Sequence, residues 1–275
     1  HHKNFKKKNI ITFDGAFHGR TFGALSAQMN EKYSSNFQPL MAGFKKIKFN
    51  DIDLLKKNID DQTSAIMIEP VQGEGGILAA DLKFLSKIKK ICDQNNILFF
   101  LDEVQSGFGR TGKLFAYEWT DFEPDVIATA KGIGSGFPLG ACMATNNASI
   151  GMTQGMHGST YGGNPLAISV GIEVLKFILQ ENFLENVDNI SRYFWKHLKE
   201  FEKKYEEIIE VRGAGLMLGI KTKSNNLEIN NLLKNNGLLC IPAGDNVIRM
   251  VPPLIVSKNE VDEALEIIAK TLENL

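Results

Sequence analysis

The sequence of 275 residues predicts an α/β fold, with a large domain built on a mostly parallel sheet and a smaller α/β domain at the C-terminus. Short apolar runs alternate with amphipathic helical patterns, as in strand–helix–strand units of a parallel sheet. Residues 97–101 are five consecutive large apolar residues, which is typical of a strand buried on both faces. From residue 164 the pattern becomes helical, and after residue 204 strands and helices alternate again.

The elements of the first part are predicted in order from these patterns. Six short strands are expected at residues 10–13, 44–49, 65–68, 97–101, 126–129 and 141–144. One helix lies between the third and fourth strands, since its apolar residues share one face: Leu82, Leu85, Ile88, Ile91 and Cys92.

We predict a large domain at residues 1–163, linker helices at 164–204 that begin with a buried helix, and a small domain at 205–275. The elements expected in the small domain lie at 208–211, 216–221, 227–235, 247–250 and 258–275.

Composition and charge narrow the class of protein. A net charge of −1 implies no broad attraction to nucleic acid or to membrane surfaces, so neither partner is expected. Cys92, Cys142 and Cys240 are isolated in the sequence, which indicates neither a zinc site nor a disulfide framework. The histidines lack metal-ligand spacing, so we expect no metal. No apolar run has transmembrane length and no secretion signal is visible, so we expect a cytoplasmic protein.

Lys131 follows the strand predicted at 126–129, and a glycine-rich turn comes directly after it. Burial at a strand end disfavours the charged form and lowers the pKa of a lysine by up to about 3–5 units. The neutral amine that results is what a Schiff-base lysine needs. Taken alone, a lysine that extends from a strand end to water is the commoner case, so both interpretations stay open.

Asp102 stands at the C-terminal end of the strand predicted at 97–101, where α/β sheets bind their ligands. An aspartate at this place can be a turn residue or a helix cap. It can also bind the protonated ring nitrogen of pyridoxal phosphate and keep the ring cationic. A strand that ends in a carboxylate and a later strand that ends in a lysine are the pair that a pyridoxal enzyme requires.

Five stretches, in order along the chain, resemble the class III aminotransferases of fold type I, of the ornithine and acetylornithine type. They are residues 16–21 (Ala-Phe-His-Gly-Arg-Thr), 68–76 (Ile-Glu-Pro-Val-Gln-Gly-Glu-Gly-Gly), 102–131, 157–165 (His-Gly-Ser-Thr-Tyr-Gly-Gly-Asn-Pro) and 242–254. The last stretch is most similar to acetylornithine aminotransferases. The resemblance covers essentially the whole chain and implies fold type I with pyridoxal 5'-phosphate as the cofactor.

The resemblance also implies which residues bind the cofactor. Lys131 would form the Schiff base and then move a proton, and Asp102 would pair with the pyridine nitrogen. Gln105 would bond the ring hydroxyl, Phe17 would stack on the ring, and His18 would border the cofactor or the substrate. From the residues alone, Phe17 could equally be a core-edge side chain and His18 a structural loop residue.

The resemblance assigns Thr160 to the phosphate of the cofactor in a neighbouring subunit, which implies a homodimer with a shared active site. The hydroxyl of Thr160 could instead cap the helix that begins near Asn164 and Pro165.

Arg20 and Arg249 are expected to bind substrate carboxylates, since a planar guanidinium can bind a carboxylate through two hydrogen bonds. The commoner alternative is a structural ion pair with Glu69 or Glu74. In the family both occur, because Glu74 resembles a switch glutamate that covers Arg249 for one substrate and releases it for the other. Ser159 completes the expected substrate-binding residues.

Residues 107–112 (Gly-Phe-Gly-Arg-Thr-Gly) match the GxGxxG pattern of dinucleotide-binding loops. That site needs a helix that begins on the loop and a later strand that ends in an acid, and the sequence offers neither clearly. Asp102 and Glu103, just before the glycines, would also repel a pyrophosphate. We therefore expect no dinucleotide site.

The activity that the resemblance implies is ping-pong transamination of N-acetylornithine with 2-oxoglutarate, which gives N-acetylglutamate semialdehyde and glutamate in arginine biosynthesis. Ornithine, succinyl-diaminopimelate or 4-aminobutyrate stay open as donors, because the motifs do not report the pocket contacts that distinguish them.

The family carries a further N-terminal segment, with a serine and glycine loop that cradles the cofactor phosphate at a helix start. This sequence lacks that segment, which indicates either a fragment or a protein that has lost part of its cofactor site. A non-catalytic scaffold therefore stays open as well.

Overall fold

The computed structural model describes residues 5–275, so the first four residues of the predicted large domain lie outside the described part. In chain order the strands are β1 (Asn9–Phe13), β2 (Phe44–Ile47), β3 (Thr63–Ile68), β4 (Val71–Gln72), β5 (Leu78–Ala79), β6 (Leu98–Asp102), β7 (Val126–Thr129), β8 (Ala141–Ala144), β9 (Ile208–Ala214), β10 (Met217–Thr222), β11 (Ile241–Ala243) and β12 (Val247–Met250).

The α-helices are α1 (Phe22–Gln28), α2 (Glu31–Ser34), α3 (Ile52–Asn58), α4 (Leu82–Asn95), α5 (Pro165–Ile178), α6 (Phe183–Lys204), α7 (Asn226–Asn235) and α8 (Lys258–Glu273). Short 3₁₀ helices lie at Ser35–Phe37, Ala116–Trp119, Lys131–Gly134 and Ala148–Gly151.

The large sheet has six strands in the order β2-β1-β3-β6-β7-β8. The pairs from β2 to β7 are parallel and β8 is antiparallel to β7, which confirms the predicted mostly parallel sheet. All six predicted strands are present in this sheet, although β2 ends at Ile47 instead of residue 49. Because β1, β3, β6 and β7 run in the same direction, their C-terminal ends meet at one edge of the sheet, where the candidate site lies.

Helix α4 covers one face of the large sheet. Asp81 begins this helix by accepting hydrogen bonds from the backbone N–H groups of Lys83 (2.7 Å) and Phe84 (3.2 Å). The core beneath it joins apolar side chains of α4 to those of β1, β3 and β6: Phe84, Leu85, Ile88, Cys92, Ile11, Phe13, Ile66, Ile68, Phe99 and Leu101.

The prediction that β6 is buried on both faces is only partly correct. Phe99 and Leu101 are buried against the core under α4, while Leu98 and Phe100 on the opposite face are only partly buried. The difference arises because α4 packs on one side of the strand.

Helices are present in residues 164–204 as predicted, namely α5 and α6, but α5 is not the buried helix that was predicted. Ala167, Gly171 and Ile178 are buried, whereas much of the remaining apolar surface is open: Leu166, Ile168, Ile172 and Phe177. A helix that is apolar all round is buried only where another element covers it, and within residues 5–275 no element covers one face of α5.

The small sheet is antiparallel, with four strands in the order β11-β12-β10-β9. Helices α6, α7 and α8 contribute its core, in which Leu198, Ile229 and Leu265 pack with residues of β9, β10 and β12. The predicted elements of the C-terminal region are thereby confirmed, and β11 is an addition. The domain boundaries at 163 and 204 stay predictions. Within residues 5–275, no helix is long and apolar enough to span a membrane.

Candidate active site

Asp102 and Lys131 lie at the C-terminal ends of two neighbouring parallel strands. Asp102 ends β6 and is in register with Ala128 of β7, and Lys131 follows β7 after one further residue. Lys131 adopts a left-handed conformation (φ 47°) as the first residue of the Lys131–Gly134 turn. This conformation costs energy for a residue other than glycine, and such costs are often found at functional sites.

Lys131 lines a cavity of about 650 Å³, together with Val104, Gln105 and Arg110. It also lines a second cavity of about 460 Å³ on the side of Phe137. The sequence predicted a buried lysine, but Lys131 keeps an exposed surface because it lies open to these cavities. Its amine is therefore accessible to a ligand.

The surroundings of Lys131 favour its neutral form. Partial burial lowers the pKa of the Lys131 ammonium, and the positive charge of Arg249 adds to the lowering, while the carboxylates of Glu74, Glu69 and Asp102 oppose it. The direction is the one that a nucleophilic lysine needs, since only the neutral amine attacks a carbonyl carbon.

Asp102 is 5% exposed and is paired with His18. The distance from His18 Nδ1 to Asp102 Oδ2 is 2.8 Å, and the other carboxylate oxygen accepts a hydrogen bond from the Val104 N–H group. The side chain of His18 is completely buried, and its Nε2 atom has no partner among the described residues. The loop is held further by Gln28, whose side chain accepts from the His18 N–H group at 2.9 Å.

Glu69 lies at the end of β3, the strand next to β6, and is 3% exposed. Its Oε1 atom accepts a hydrogen bond from the Phe17 N–H group at 2.7 Å, and its Oε2 atom accepts from the Gly73 N–H group at 3.4 Å. Burial raises the pKa of Glu69 well above its usual range, and the negative charge of Asp102 raises it further. Both Glu69 oxygens accept from backbone N–H groups, and Glu69 forms an ion pair with neither Arg20 nor Arg249, which the sequence had left open.

Glu74 and Arg249 form the ion pair that the sequence indicated. Arg249 Nη1 lies 2.6 Å from Glu74 Oε1 and 3.5 Å from Gln105 Oε1. Arg249 is only 8% exposed, and its Nε atom is buried without a partner among the described residues. Gly73 lies close to this group, since a Cβ atom there would lie 2.3 Å from Gln105 Oε1 and would displace the Gln105 amide.

Arg20 has an exposed guanidinium group, which lies over the ring of Tyr33 (4.2 Å) and near that of Phe17 (5.2 Å). The rings of Phe17 and Tyr33 are edge to face at 5.6 Å. The alternative of an ion pair between Arg20 and Glu69 or Glu74 is wrong, because Glu69 binds backbone N–H groups and Glu74 binds Arg249.

Ser159 and Thr160 lie in an exposed turn that precedes α5. Within residues 5–275 no hydrogen bond joins either side chain to Lys131, Asp102 or Gln105. The alternative of Thr160 as the helix cap is wrong, since Asn164 caps α5 by accepting from the Ala167 N–H group at 2.9 Å.

Glu103 points into a different region, the segment 103–119, which we call the Glu103 loop. Its carboxylate accepts from the Ser106 hydroxyl group (2.5 Å) and from the N–H groups of Ala116 (3.1 Å) and Tyr117 (2.9 Å). Burial raises the pKa of Glu103 to about 7. No α-helix begins on residues 107–112, which rules out the dinucleotide-binding arrangement.

Arg110 connects the Glu103 loop to the small sheet. It donates to the carbonyl groups of Leu216 (3.3 Å) and Pro252 (2.5 Å), and burial lowers the pKa of its guanidinium to about 10. Sequence reasoning missed Arg110 and also the position of Glu69. The acidic residue directly after the apolar run 65–68 was the available signal for Glu69, since it repeats the pattern seen at Asp102.

Known proteins are similar to this chain in sequence and in fold. A family model described as Aminotransferase class-III matches residues 1–272. The acetylornithine aminotransferase of Mesorhizobium japonicum is 49% identical over 257 residues, which are 93% of this chain and 64% of that protein.

Two solved structures are similar over 98% of this chain. They are the ornithine aminotransferase of Toxoplasma gondii (TM-score 0.93, 30% identity, 66% of that chain covered) and the N-acetylornithine aminotransferase of Stenotrophomonas maltophilia K279a (TM-score 0.81, 33% identity, 67% covered). The predicted fold type I is thereby confirmed.

The chain spans 64%, 65% and 66% of the length of three curated relatives that it matches. The match to the family model runs from residue 1 to residue 272 and so includes both sheets and helices α5 and α6. The chain belongs to the class-III aminotransferases.

Proposed function

We propose that the protein is a pyridoxal 5'-phosphate-dependent aminotransferase that transfers the amino group of N-acetylornithine to 2-oxoglutarate. The observation that carries the proposal is the placement of Lys131 and Asp102 at adjacent strand ends, with the Glu74–Arg249 pair beside them. The relative from Mesorhizobium japonicum supports the choice of donor.

The residues present fit this cofactor. Asp102 is a buried carboxylate whose partner His18 keeps it oriented, which suits a protonated pyridine nitrogen. Lys131 offers an amine with a lowered pKa to an aldehyde, and Gln105 in the same cavity wall offers an amide to a ring hydroxyl group. Phe17 would cover one face of the ring and His18 would border it.

When bound, the cofactor supplies the electron sink on which an amino group is transferred. The chain's residues then have separate tasks. Asp102 holds the proton on the ring nitrogen, because a carboxylate beside a cation stabilises the charged form. Lys131 Nζ would take the proton from the Cα atom of the amino donor and pass it to the cofactor, and with the oxo acid it would move a proton in the opposite direction.

Arg249 and Arg20 would bind the substrate carboxylates, and Ser159 would contribute to the substrate pocket. In the structure Glu74 neutralises Arg249 at 2.6 Å, which matches the state expected for a donor that does not need this arginine. Movement of the Glu74 side chain would free Arg249 for the second carboxylate of 2-oxoglutarate, since a buried arginine needs an anionic partner.

We also propose that the protein acts as a homodimer with a shared site. The segment that contains Ser159 and Thr160 supports this, because residues 150–172 expose several large apolar side chains: Ile150, Met152, Met156, Tyr161, Leu166, Ile168 and Ile172. Thr160 would then contact the phosphate group in the second subunit. The three cysteines are free thiols, which fits the cytoplasm as the location we propose.

The test is an absorption spectrum of the natural full-length protein with pyridoxal phosphate, before and after N-acetylornithine is added. A cofactor band that disappears with N-acetylornithine and returns with 2-oxoglutarate supports the proposal. Conversion with ornithine instead would keep the reaction and change the donor. A protein that binds no cofactor would support the non-catalytic scaffold.

A further inference from the structure

We propose that Glu69 is a positioning residue, whose carboxyl group fixes the backbone of two loops that carry the site's side chains. One loop follows β1 and carries Phe17 and His18, and the other follows β4 and carries Glu74. The inference rests on the proposed function for its effect on the reaction, although the anchoring itself can be measured without it.

The first anchor is the 2.7 Å hydrogen bond from the Phe17 N–H group to Glu69 Oε1. The next N–H group along the loop, that of His18, is held by the buried Gln28 side chain at 2.9 Å. Two consecutive backbone groups are therefore attached to buried side chains. This places His18 where its Nδ1 atom lies 2.8 Å from Asp102.

The second anchor is the 3.4 Å contact from the Gly73 N–H group to Glu69 Oε2. Gly73 lies directly against the end of the Gln105 side chain, which a Cβ atom at residue 73 would displace. The next residue, Glu74, holds Arg249. A shift of this turn would therefore change the position of Gln105 and the geometry of the Glu74–Arg249 pair together.

The surroundings of Glu69 also affect the charge of its carboxyl group. Burial and the charge of Asp102 raise the pKa of the Glu69 carboxyl group, which favours its protonated form. In that form one oxygen is a carbonyl acceptor and the other is a hydroxyl, which is a poorer acceptor. The 2.7 Å contact to Phe17 makes Oε1 the main acceptor, and the 3.4 Å contact to Gly73 is the weaker of the two.

The experiment compares Glu69→Gln with Glu69→Ala by amide hydrogen exchange, resolved to single residues by NMR. Alanine removes both acceptors, so the amides of Phe17 and Gly73 should exchange about 10- to 100-fold faster. Glutamine keeps a carbonyl oxygen for Phe17 but places an NH₂ group against Gly73. It should therefore accelerate Gly73 alone.

Glu260→Gln is the matched control, because Glu260 also accepts a backbone N–H hydrogen bond, from Ser257 at the start of α8. It should leave the amides of Phe17 and Gly73 unchanged. If Glu69→Ala does not fold, the difference between the amide exchange rates of Phe17 and Gly73 in Glu69→Gln is sufficient to test the anchoring. Unchanged exchange of both amides in the folded variants would overturn the anchoring.

The consequence for the reaction is measured on the natural full-length protein loaded with pyridoxal phosphate. Glu69→Gln should lower KM for 2-oxoglutarate more than it changes kcat, since only the turn that carries Glu74 is released and Arg249 becomes freer to bind a carboxylate. Glu69→Ala should also move the pH at which the bound cofactor changes its absorption, because His18 and Asp102 shift.

Faster exchange without any change in KM or in the cofactor spectrum would overturn the positioning role and leave Glu69 purely structural. If the unchanged protein transfers no amino group, the proposed function fails. The exchange pattern would then still decide whether Glu69 anchors the two loops.

Discussion

Asp102 and Glu103 are adjacent acidic residues, yet they belong to two different regions of the molecule. Asp102 belongs to the strand-end cluster, which we define as His18, Glu69, Asp102 and Lys131, and its partners are the His18 side chain and the Val104 N–H group. Glu103 faces the Glu103 loop and is satisfied by a hydroxyl group and two backbone N–H groups.

The difference shows that burial of a carboxylate does not by itself indicate a catalytic role. Both groups are almost completely buried, at 5% and 0% exposure. In the strand-end cluster the buried atom His18 Nε2 has no partner in the part of the chain that the structure describes, and Lys131 lies open to a cavity. The hydrogen bonds described for the Glu103 carboxylate all lie within its own loop, which makes this loop a structural region.

The largest contrast between the regions should come from their lysines. Lys131→Ala should lower kcat by about 10⁴-fold or more, since it removes the group that moves the proton. The fold should persist, because Lys131 is partly exposed. Lys113 of the Glu103 loop, which lies over the Trp119 ring, is the control, and Lys113→Ala should keep the activity. Steady-state kinetics measure kcat and circular dichroism measures the fold. Equal losses of kcat in the two variants would contradict the difference between the regions.

The adjacent carboxylates offer the next contrast. Asp102→Asn should lower kcat by about 10²- to 10⁴-fold, because a neutral amide no longer stabilises a proton on the ring nitrogen. Glu103→Gln should leave kcat within a few-fold of the unchanged enzyme. Single-turnover kinetics with the amino donor decide the matter, and normal turnover by Asp102→Asn would show that the strand-end assignment is wrong.

We expect Glu103 to affect the free energy of unfolding rather than the activity. Its pKa is about 7 in the folded protein against an ordinary 4.5, so protonation stabilises the fold fully below about pH 4.5. This stabilisation is lost as the pH rises through about 7, and its upper limit is about 3 kcal/mol. Urea unfolding of Glu103→Gln at pH 5 and pH 8 should show a smaller pH dependence than the unchanged protein, whatever its absolute stability. An identical dependence in both proteins would remove Glu103 as its source.

The smallest expected effect concerns the Glu74–Arg249 pair. Glu74→Gln leaves Arg249 without its negative partner, so KM for 2-oxoglutarate should fall and KM for the amino donor should rise, each by about 3- to 10-fold. Glu118→Gln is the control in the Glu103 loop, where Glu118 accepts from the Phe115 N–H group. Initial rates with each substrate varied measure both values, and parallel changes in the two KM values would argue against a switch.

Much of the fold could be predicted because its signals are local. The apolar runs before Asp102 and before Lys131 indicate strands by their length and composition, and α4 follows from the spacing of its apolar residues. The exposed face of α5 could not be predicted, because an apolar helix does not say which other element, or which other chain, covers it.

Part of the candidate site could also be predicted, because its signals are local. Lys131 and Asp102 stand directly after strands, so parallel pairing of β6 and β7 is enough to bring them to one edge. The partners of Glu69 were beyond prediction, since the Phe17 N–H group lies 52 positions away along the chain.

The amino-acid sequence by itself determined the order of strands and helices, the chemical groups at the strand ends and the family to which the chain belongs. These properties depend on side-chain type and short spacings, which are local. Only the tertiary structure decided that Asp102 pairs with His18, that Glu74 rather than Glu69 neutralises Arg249, and that Glu103 is structural. Those choices depend on which distant groups meet in a buried space, where each polar atom needs a partner.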